Sequence, residues 1–190
     1  GLYTFTPERG FRPFREQNRL GSEKIFTMVY DKNDDMLYVG THGNGFSKID
    51  AKNERVLKTW DDDSNKWISY LSLDSSGLLW IGTYDGAKAY DSMSDRITEY
   101  ELSEGKSVRV NSIFESRDGN IWIGTKGDGL IRMKPEDDGY SFKRYRRNPS
   151  DRRSISSNNI YSITQDHDGR IWIGTYGGGL SMLQNADSED

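Results

Sequence analysis

Apolar residues in this chain fall into short runs, separated every few residues by turns rich in glycine and aspartate. The stretch from Val108 to Arg146 shows the pattern in full. Val108 to Ser116 carries Val108, Val110, Ile113 and Phe114 and reads as a first strand, A. Asp118-Gly119-Asn120 then reads as a tight hairpin turn, in which glycine supplies a positive φ. Ile121-Trp-Ile-Gly-Thr125 is apolar almost throughout, as in a strand buried on both faces, and forms strand B. Lys126-Gly-Asp-Gly129 turns the chain again. Leu130 to Lys134 reads as strand C, and Tyr140 to Arg146 alternates into a wetter outer strand D.

The same grammar recurs over Ile25 to Trp60, Ile68 to Tyr100 and Ile160 to Leu183, the last copy stopping after strand C. Its most conspicuous phrase appears four times, as Leu37-Tyr-Val-Gly-Thr41, Leu79-Trp-Ile-Gly-Thr83, Ile121-Trp-Ile-Gly-Thr125 and Ile171-Trp-Ile-Gly-Thr175. From Gly40 to Gly82 and from Gly82 to Gly124 the step is 42 residues, and from Gly124 to Gly174 it is 50. Four short strands per period of this length predict an all-β protein, a β-propeller section of about four blades, each a four-stranded antiparallel sheet. One such sheet cannot bury both faces alone, so each blade leans on its neighbours. Gly40, Gly82, Gly124 and Gly174 are accordingly structural, as are Trp80, Trp122 and Trp172, expected at equivalent buried places between blades.

The opening residues Gly1-Leu2-Tyr-Thr-Phe5 align with strand C, and Phe11 to Arg15 with strand D. The expected division is therefore strands C and D of a preceding blade in 1–20, blades in 21–62, 63–104 and 105–148, and strands A to C of a last blade in 149–190. Strand C is supplied at both ends, so the chain reads as a section of a longer array. Its open ends should be covered by the rest of a propeller or by a second copy in a homodimer.

These phrases resemble the two-component regulator propeller repeat found in periplasmic sensor regions of hybrid two-component systems of gut Bacteroidetes. The likeness runs from Ser162-Ile163 through Asp166-His-Asp-Gly169 and Trp172-Ile-Gly-Thr to Gly178-Gly-Leu180, and the connector Phe142 to Asn159 matches a longer variant. The first copy departs most, with Tyr38 in place of Trp and no glycine in its Asp31 to Asp35 turn. The second reads Asp85-Gly86-Ala87 where the family has a double glycine. The resemblance implies a non-catalytic, ligand-sensing propeller in the periplasm, recognising an oligosaccharide and passing the signal to kinase and DNA-binding parts beyond this section.

Composition and charge narrow the chemistry. The net charge of −4 calls for neither nucleic acid nor direct contact with an anionic membrane, and the absence of cysteine excludes disulfides and thiolate metal sites. No apolar run has the length of a membrane span. His42 falls in a B–C turn and His167 in an A–B turn, at opposite ends of a blade, so they form neither a metal pair nor an acid–base pair. Asp166-His-Asp168-Gly169 hints at a calcium loop but runs straight into a strand, which favours a plain hairpin. Ser72-Leu-Asp74-Ser-Ser-Gly77-Leu-Leu-Trp80 resembles the Asp-box of propeller hydrolases, where the box is structural. No carboxylate pair stands out as a glycosidase would need. The expectation is thus no catalytic residue, no metal and no cofactor. A protein-interaction scaffold is the main alternative, and a propeller lyase or glycoside hydrolase a more distant one.

Binding residues of propellers gather on the B–C and D–A loops. Here these supply His42, Asn44, Tyr84, Asp85, Lys126, Asp128 and Tyr176, with Trp67, Arg109, Asn111, Asn158 and Asn159 from the D–A side. Tyr and Trp offer flat faces for sugar rings, and the polar members offer directed hydrogen bonds. Lys143, Arg144, Arg146, Arg147, Arg152 and Arg153 form the one strong local charge excess. They read as a clamp for sulfated or uronic-acid sugars, or as a solvated outer strand and loop paired with Glu136, Asp137, Asp138 and Asp151. Their place on strand D, far from a central mouth, favours the second.

Overall fold

The computed structural model describes residues 1–63 and 66–184. Its strands form five antiparallel sheets in chain order. The first pairs β1 (Tyr3–Thr6) with β2 (Gly10–Pro13). The second orders β3 (Ile25–Asp31), β4 (Met36–Thr41), β5 (Phe46–Asp50) and β6 (Arg55–Trp60). The third comprises β7 (Ile68–Leu73), β8 (Leu79–Thr83), β9 (Ala87–Asp91) and β10 (Arg96–Tyr100). The fourth comprises β11 (Val110–Glu115), β12 (Ile121–Thr125), β13 (Leu130–Glu136) and β14 (Gly139–Tyr145). The fifth has three described strands, β15 (Ile160–Gln165), β16 (Ile171–Thr175) and β17 (Gly179–Leu183). The expected A-B-C-D grammar holds, with strand ends moved by one or two residues. A 3-10 turn at Gln17–Leu20, which the pattern does not announce, drops Leu20 into the core.

Two compact units divide the chain: Gly1–Tyr84 with Lys88–Thr98, and Asp85–Ala87 with Glu99–Asp190. In the first unit, Tyr38, Phe46 and Trp60 from one sheet pack on Ile68, Leu71, Leu79, Ile81 and Tyr90 from the next. A second layer joins Leu2, Phe14 and Leu20 to Val39, Ile49 and Val56. Burial pushes the Tyr38 phenol up to about 12. In the second unit, Trp122 and Leu130 pack on Ile160, Ile171 and Ile173.

Each conserved type in the four-fold phrase has its own task. The tryptophan staples the A–B turn behind it. Trp80 Nε1 donates to Asp74 Oδ2 at 2.8 Å, and Trp172 Nε1 to Asp166 Oδ2 at 2.7 Å. Trp122 Nε1 instead donates to Ser116 Oγ at 2.9 Å, and that hydroxyl is bonded in turn to Asp118. The other carboxylate oxygens of Asp74 and Asp166 accept turn amides, from Ser76 and Leu78 and from Asp168 and Arg170. The glycine of the phrase makes room for the next blade: a Cβ on Gly40 would lie 2.6 Å from Ile68 Cγ2, and one on Gly124 would lie 2.7 Å from Ile160 Cγ2. The threonine closes the B–C turn, donating to Gly45 O from Thr41, to Gly129 O from Thr125 and to Gly179 O from Thr175. The glycine-free turn of the first copy is made by Asp35, which itself takes φ 56°.

One expectation needs correction. Trp80 and Trp122 are fully buried, whereas Trp172 is only half-buried. Among the described residues no sheet follows β15–β17, and the outer face that should bury Trp172 also leaves Leu180 and Met182 exposed.

A pH dependence follows from the Asp166 staple. The Trp172 indole N–H, with the Arg170 guanidinium beside it, holds the Asp166 carboxyl far below the usual carboxylate range. A carboxyl depressed in the folded state contributes stability above its unfolded value of about 4, and loses that contribution as the pH falls towards its folded value. The wild-type protein and Asp166→Asn should therefore differ most at neutral pH and converge in acid. Denaturation midpoints from pH 7 to pH 3 check this, and parallel curves would refute it.

Each A–B pair also slips at the same point, with register shifts between Ile25 and Thr27, Ile68 and Tyr70, Val110 and Ser112, and Ile160 and Ser162. The skipped residues are Phe26, Ser69, Asn111 and Tyr161. A bulge re-aims the side chain it carries; Tyr161 stands more than half exposed, and so does Phe26, along with Met28 and Tyr30 of the same strand.

Candidate functional site

In the first unit the bulge of β3 and the β4–β5 turn bring four rings together. His42 is the centre. Its ring lies 4.5 Å from Trp67 and 5.7 Å from Tyr84, both edge-on, and 5.6 Å from Phe26, which stacks on it. Trp67 and Tyr84 lie nearly parallel at 6.0 Å, and His42 Nε2 is 3.1 Å from the Tyr84 hydroxyl. The backbone sets this arrangement. His42 N donates to Lys24 O, Gly43 N donates to Lys66 O, and His42 and Trp67 form an isolated antiparallel bridge. Trp67 is 38% exposed and Phe26 56%, so the cluster presents ring surface to solvent instead of sealing it in a core.

The chemistry on offer is apolar and directional. Flat faces accept the C–H side of a ring or another π system, and the imidazole–phenol pair supplies polar atoms at the rim. His42, Trp67 and Tyr84 are legible in the sequence as loop residues. Phe26 is not, because an apolar residue beside Ile25 reads as core until the bulge is seen. Asn44, expected with them, instead lies with its side chain against the backbone of Gly21.

The second unit repeats the geometry with different residues. Lys126 N donates to Arg109 O, and Lys126 and Asn159 bridge as His42 and Trp67 do. Tyr176 N donates to Asn159 O, and its ring sits 5.9 Å from that of Tyr161. Both tyrosines are exposed, at 73% and 54%. Tyr161 occupies the bulge place of Phe26 and escapes the sequence pattern for the same reason.

Three other expected residues of this unit are taken up in holding loops. Asn158 O accepts from Gly127 N and Gly129 N, and its side chain accepts from Arg147 N. Asn111 Nδ2 donates to Ile160 O at 2.9 Å. Asp128 pairs with Arg144 and Arg146. Arg109 is half-buried, while Lys126 and Asp85 are exposed on their turns.

The basic cluster finds its partners in Asp128 and in Asp151, which pairs with Arg153. Glu136 is bonded to Ser141 instead. Arg144 also donates to Leu102 O. His167 is exposed beside Asp168, and no group of three or more His, Asp or Glu side chains is placed to hold a metal among the described residues. Nor, among them, is any helix long and apolar enough to cross a membrane.

Sheets of four antiparallel strands repeating in chain order, with a tryptophan staple and a glycine seat in the repeated phrase, define a β-propeller. The sequence matches the two-component regulator propeller family over residues 62–85, 104–127 and 154–177. Three repeats of the chain thus carry the pattern of the two-component regulator propeller. No curated protein matches the sequence. Among solved structures, it is similar to the extracellular domain of a putative hybrid two-component system from B. thetaiotaomicron, with 25% identity and a TM-score of 0.75 over 98% of this chain and 24% of that one. A second such domain from the same organism gives 24% identity and a TM-score of 0.79, covering 97% of this chain and 25% of its own. The chain thus spans about a quarter of the length of these domains. A catalytically inactive virginiamycin B lyase from Staphylococcus aureus shares the fold at 17% identity and a TM-score of 0.63, over 87% of this chain and 57% of that one.

Proposed function

We propose that these blades belong to the extracellular, periplasmic sensor of a two-component signalling protein and take part in recognising an oligosaccharide without covalent chemistry. The observation that carries the reading is the half-open cluster of Phe26, His42, Trp67 and Tyr84 on the loop end of its sheets. Stacked rings with a polar rim suit the alternating apolar and hydroxylated faces of a pyranose. The match of three repeats to the two-component regulator propeller model supports the signalling half of the proposal, as does the likeness to an extracellular domain of such a system. On this reading the exposed face of Tyr3, Phe5 and Phe11 is covered by the rest of the sensor propeller.

A panel of plant and host oligosaccharides tests the proposal. A cognate sugar should raise the melting temperature with the logarithm of its concentration above the Kd and change tryptophan fluorescence. Trp67→Ala should weaken that binding about ten-fold or more, the loss of one stacking face, while leaving the fold intact because Trp67 lies at the surface. Binding that Trp67→Ala leaves unchanged, or turnover of any sugar in the panel, would overturn it.

A further inference from the structure

The two units share one backbone frame at the loop end of their sheets and furnish it with different chemistry. Where the first unit bridges His42 to Trp67, the second bridges Lys126 to Asn159. A pair of rings is exchanged for an ammonium and an amide.

The turn that carries Lys126 is fixed by its backbone. Lys126 N donates to Arg109 O at 2.9 Å, and Gly127 N and Gly129 N both donate to Asn158 O, at 3.1 and 3.0 Å. On that frame Lys126 is exposed, and among the described residues no carboxylate lies within ion-pair distance of its ammonium. The acid of the same turn is engaged elsewhere: Arg144 and Arg146 of β14 both pair with Asp128 Oδ1. The charge of Lys126 is therefore not offset within its own turn. Across the bridge, the Asn159 side chain makes no hydrogen bond among the described residues, while its backbone is held by Ser157 Oγ and by Tyr176 N. That second bond seats Tyr176 next to Asn159, with its ring 5.9 Å from that of Tyr161.

We propose, resting on the sugar-binding reading of the loop end, that Lys126 and Asn159 form with Tyr161 and Tyr176 a subsite for an anionic sugar, one bearing a carboxylate or a sulfate group. The ammonium meets the acid group, the amide meets ring hydroxyls, and the tyrosines offer flat faces. A neutral sugar leaves the ammonium without a counter-charge. An inorganic anion engages the charge but none of the rings.

Calorimetric titration with matched oligosaccharides tests this. The ligands are an oligogalacturonate, its carboxyl-reduced neutral counterpart, and a sulfated galactan oligosaccharide free of uronic acid. At low salt at least one acidic ligand should bind about ten-fold or more tightly than the neutral one, and about 0.5 M salt should remove most of the difference. Which of the two acidic ligands binds tells carboxylate from sulfate. Lys126→Gln should cost the acidic ligand about ten-fold and the neutral one little, and Lys126→Arg should keep the preference. Neither change should move the melting temperature of the free protein, since the side chain is exposed. Equal affinity of the wild-type protein for acidic and neutral ligands, or no binding of either acidic one, would overturn the proposal without any variant. So would inorganic sulfate binding as tightly as the acidic sugars, or acidic-sugar binding that Lys126→Gln leaves intact. Neutral-sugar binding that Trp67→Ala weakens, with no acidic preference, would sink this subsite and spare the first-unit cluster. An acidic preference lost in Lys126→Gln but untouched by Trp67→Ala would support the subsite and remove the cluster.

Discussion

Replacing Trp122 with alanine is expected to destabilise the protein by about 3–5 kcal/mol, and the same change at Trp172 by about 1–2 kcal/mol. The two residues hold the same place in the repeat and staple the same turn. What differs is what lies over them. Trp122 is fully buried, packs with Leu130, Ile160, Ile171 and Ile173, and lies 6.0 Å from the Tyr145 ring. Truncation there removes a large apolar side chain, leaves a cavity that its neighbours cannot fill, and strips Ser116 Oγ of its indole donor. Trp172 is half-buried, with the Arg170 guanidinium 5.9 Å above its ring, so water can occupy much of what alanine would vacate. Equilibrium unfolding in urea of both variants decides the matter. Equal losses would mean that the tryptophan stabilises chiefly through the staple and not through burial between blades.

The second large effect concerns the glycine of the same phrase. Gly124→Ala should cost about 1–3 kcal/mol, because the new Cβ would meet both Ile160 and the Ser112 hydroxyl in a part of the core with no slack. Gly174→Ala should cost less than about 1 kcal/mol: only the Ser162 side chain stands in the way, and its hydroxyl can rotate into solvent. The cause can be isolated by pairing Gly124→Ala with Ile160→Val, which removes one of the crowding carbons. The pair should be more stable than the sum of the single losses predicts. Strict additivity would place the strain within the blade rather than at the seat between blades.

Both effects can be anticipated from residues alone, since a phrase repeated at a fixed step defines strand B, its partners and its glycine without any knowledge of coordinates. Legibility fails where geometry departs from alternation. Tyr161 reads as an apolar member of strand A, yet beside the register slip it and Ser162 are both exposed. The gathering of Trp67 and Tyr84 around His42 depends on two backbone hydrogen bonds between turns far apart in sequence, which no local pattern encodes. The partners of the basic cluster are misread for a related reason. The β13–β14 ladder continues to Glu136 and Gly139, which carries the acids of that hairpin to its far end, while Arg144 opposes Ile131 close to the Asp128 turn. The half-buried state of Trp172 is hidden because the sequence shows the repeat but not what stands over the last copy.

The slip in strand A also separates two kinds of selection. An ordinary strand ties each residue to its neighbours by alternation, so altering a surface contact risks altering the core. At Tyr161 that tie is loosened: Ile160 keeps the packing while Tyr161 and the next residue, Ser162, are both exposed. Mutation can therefore sample new side chains there with little penalty to folding. A blade with such a slip can change the side chain it offers at its loop end while its scaffold hardly changes.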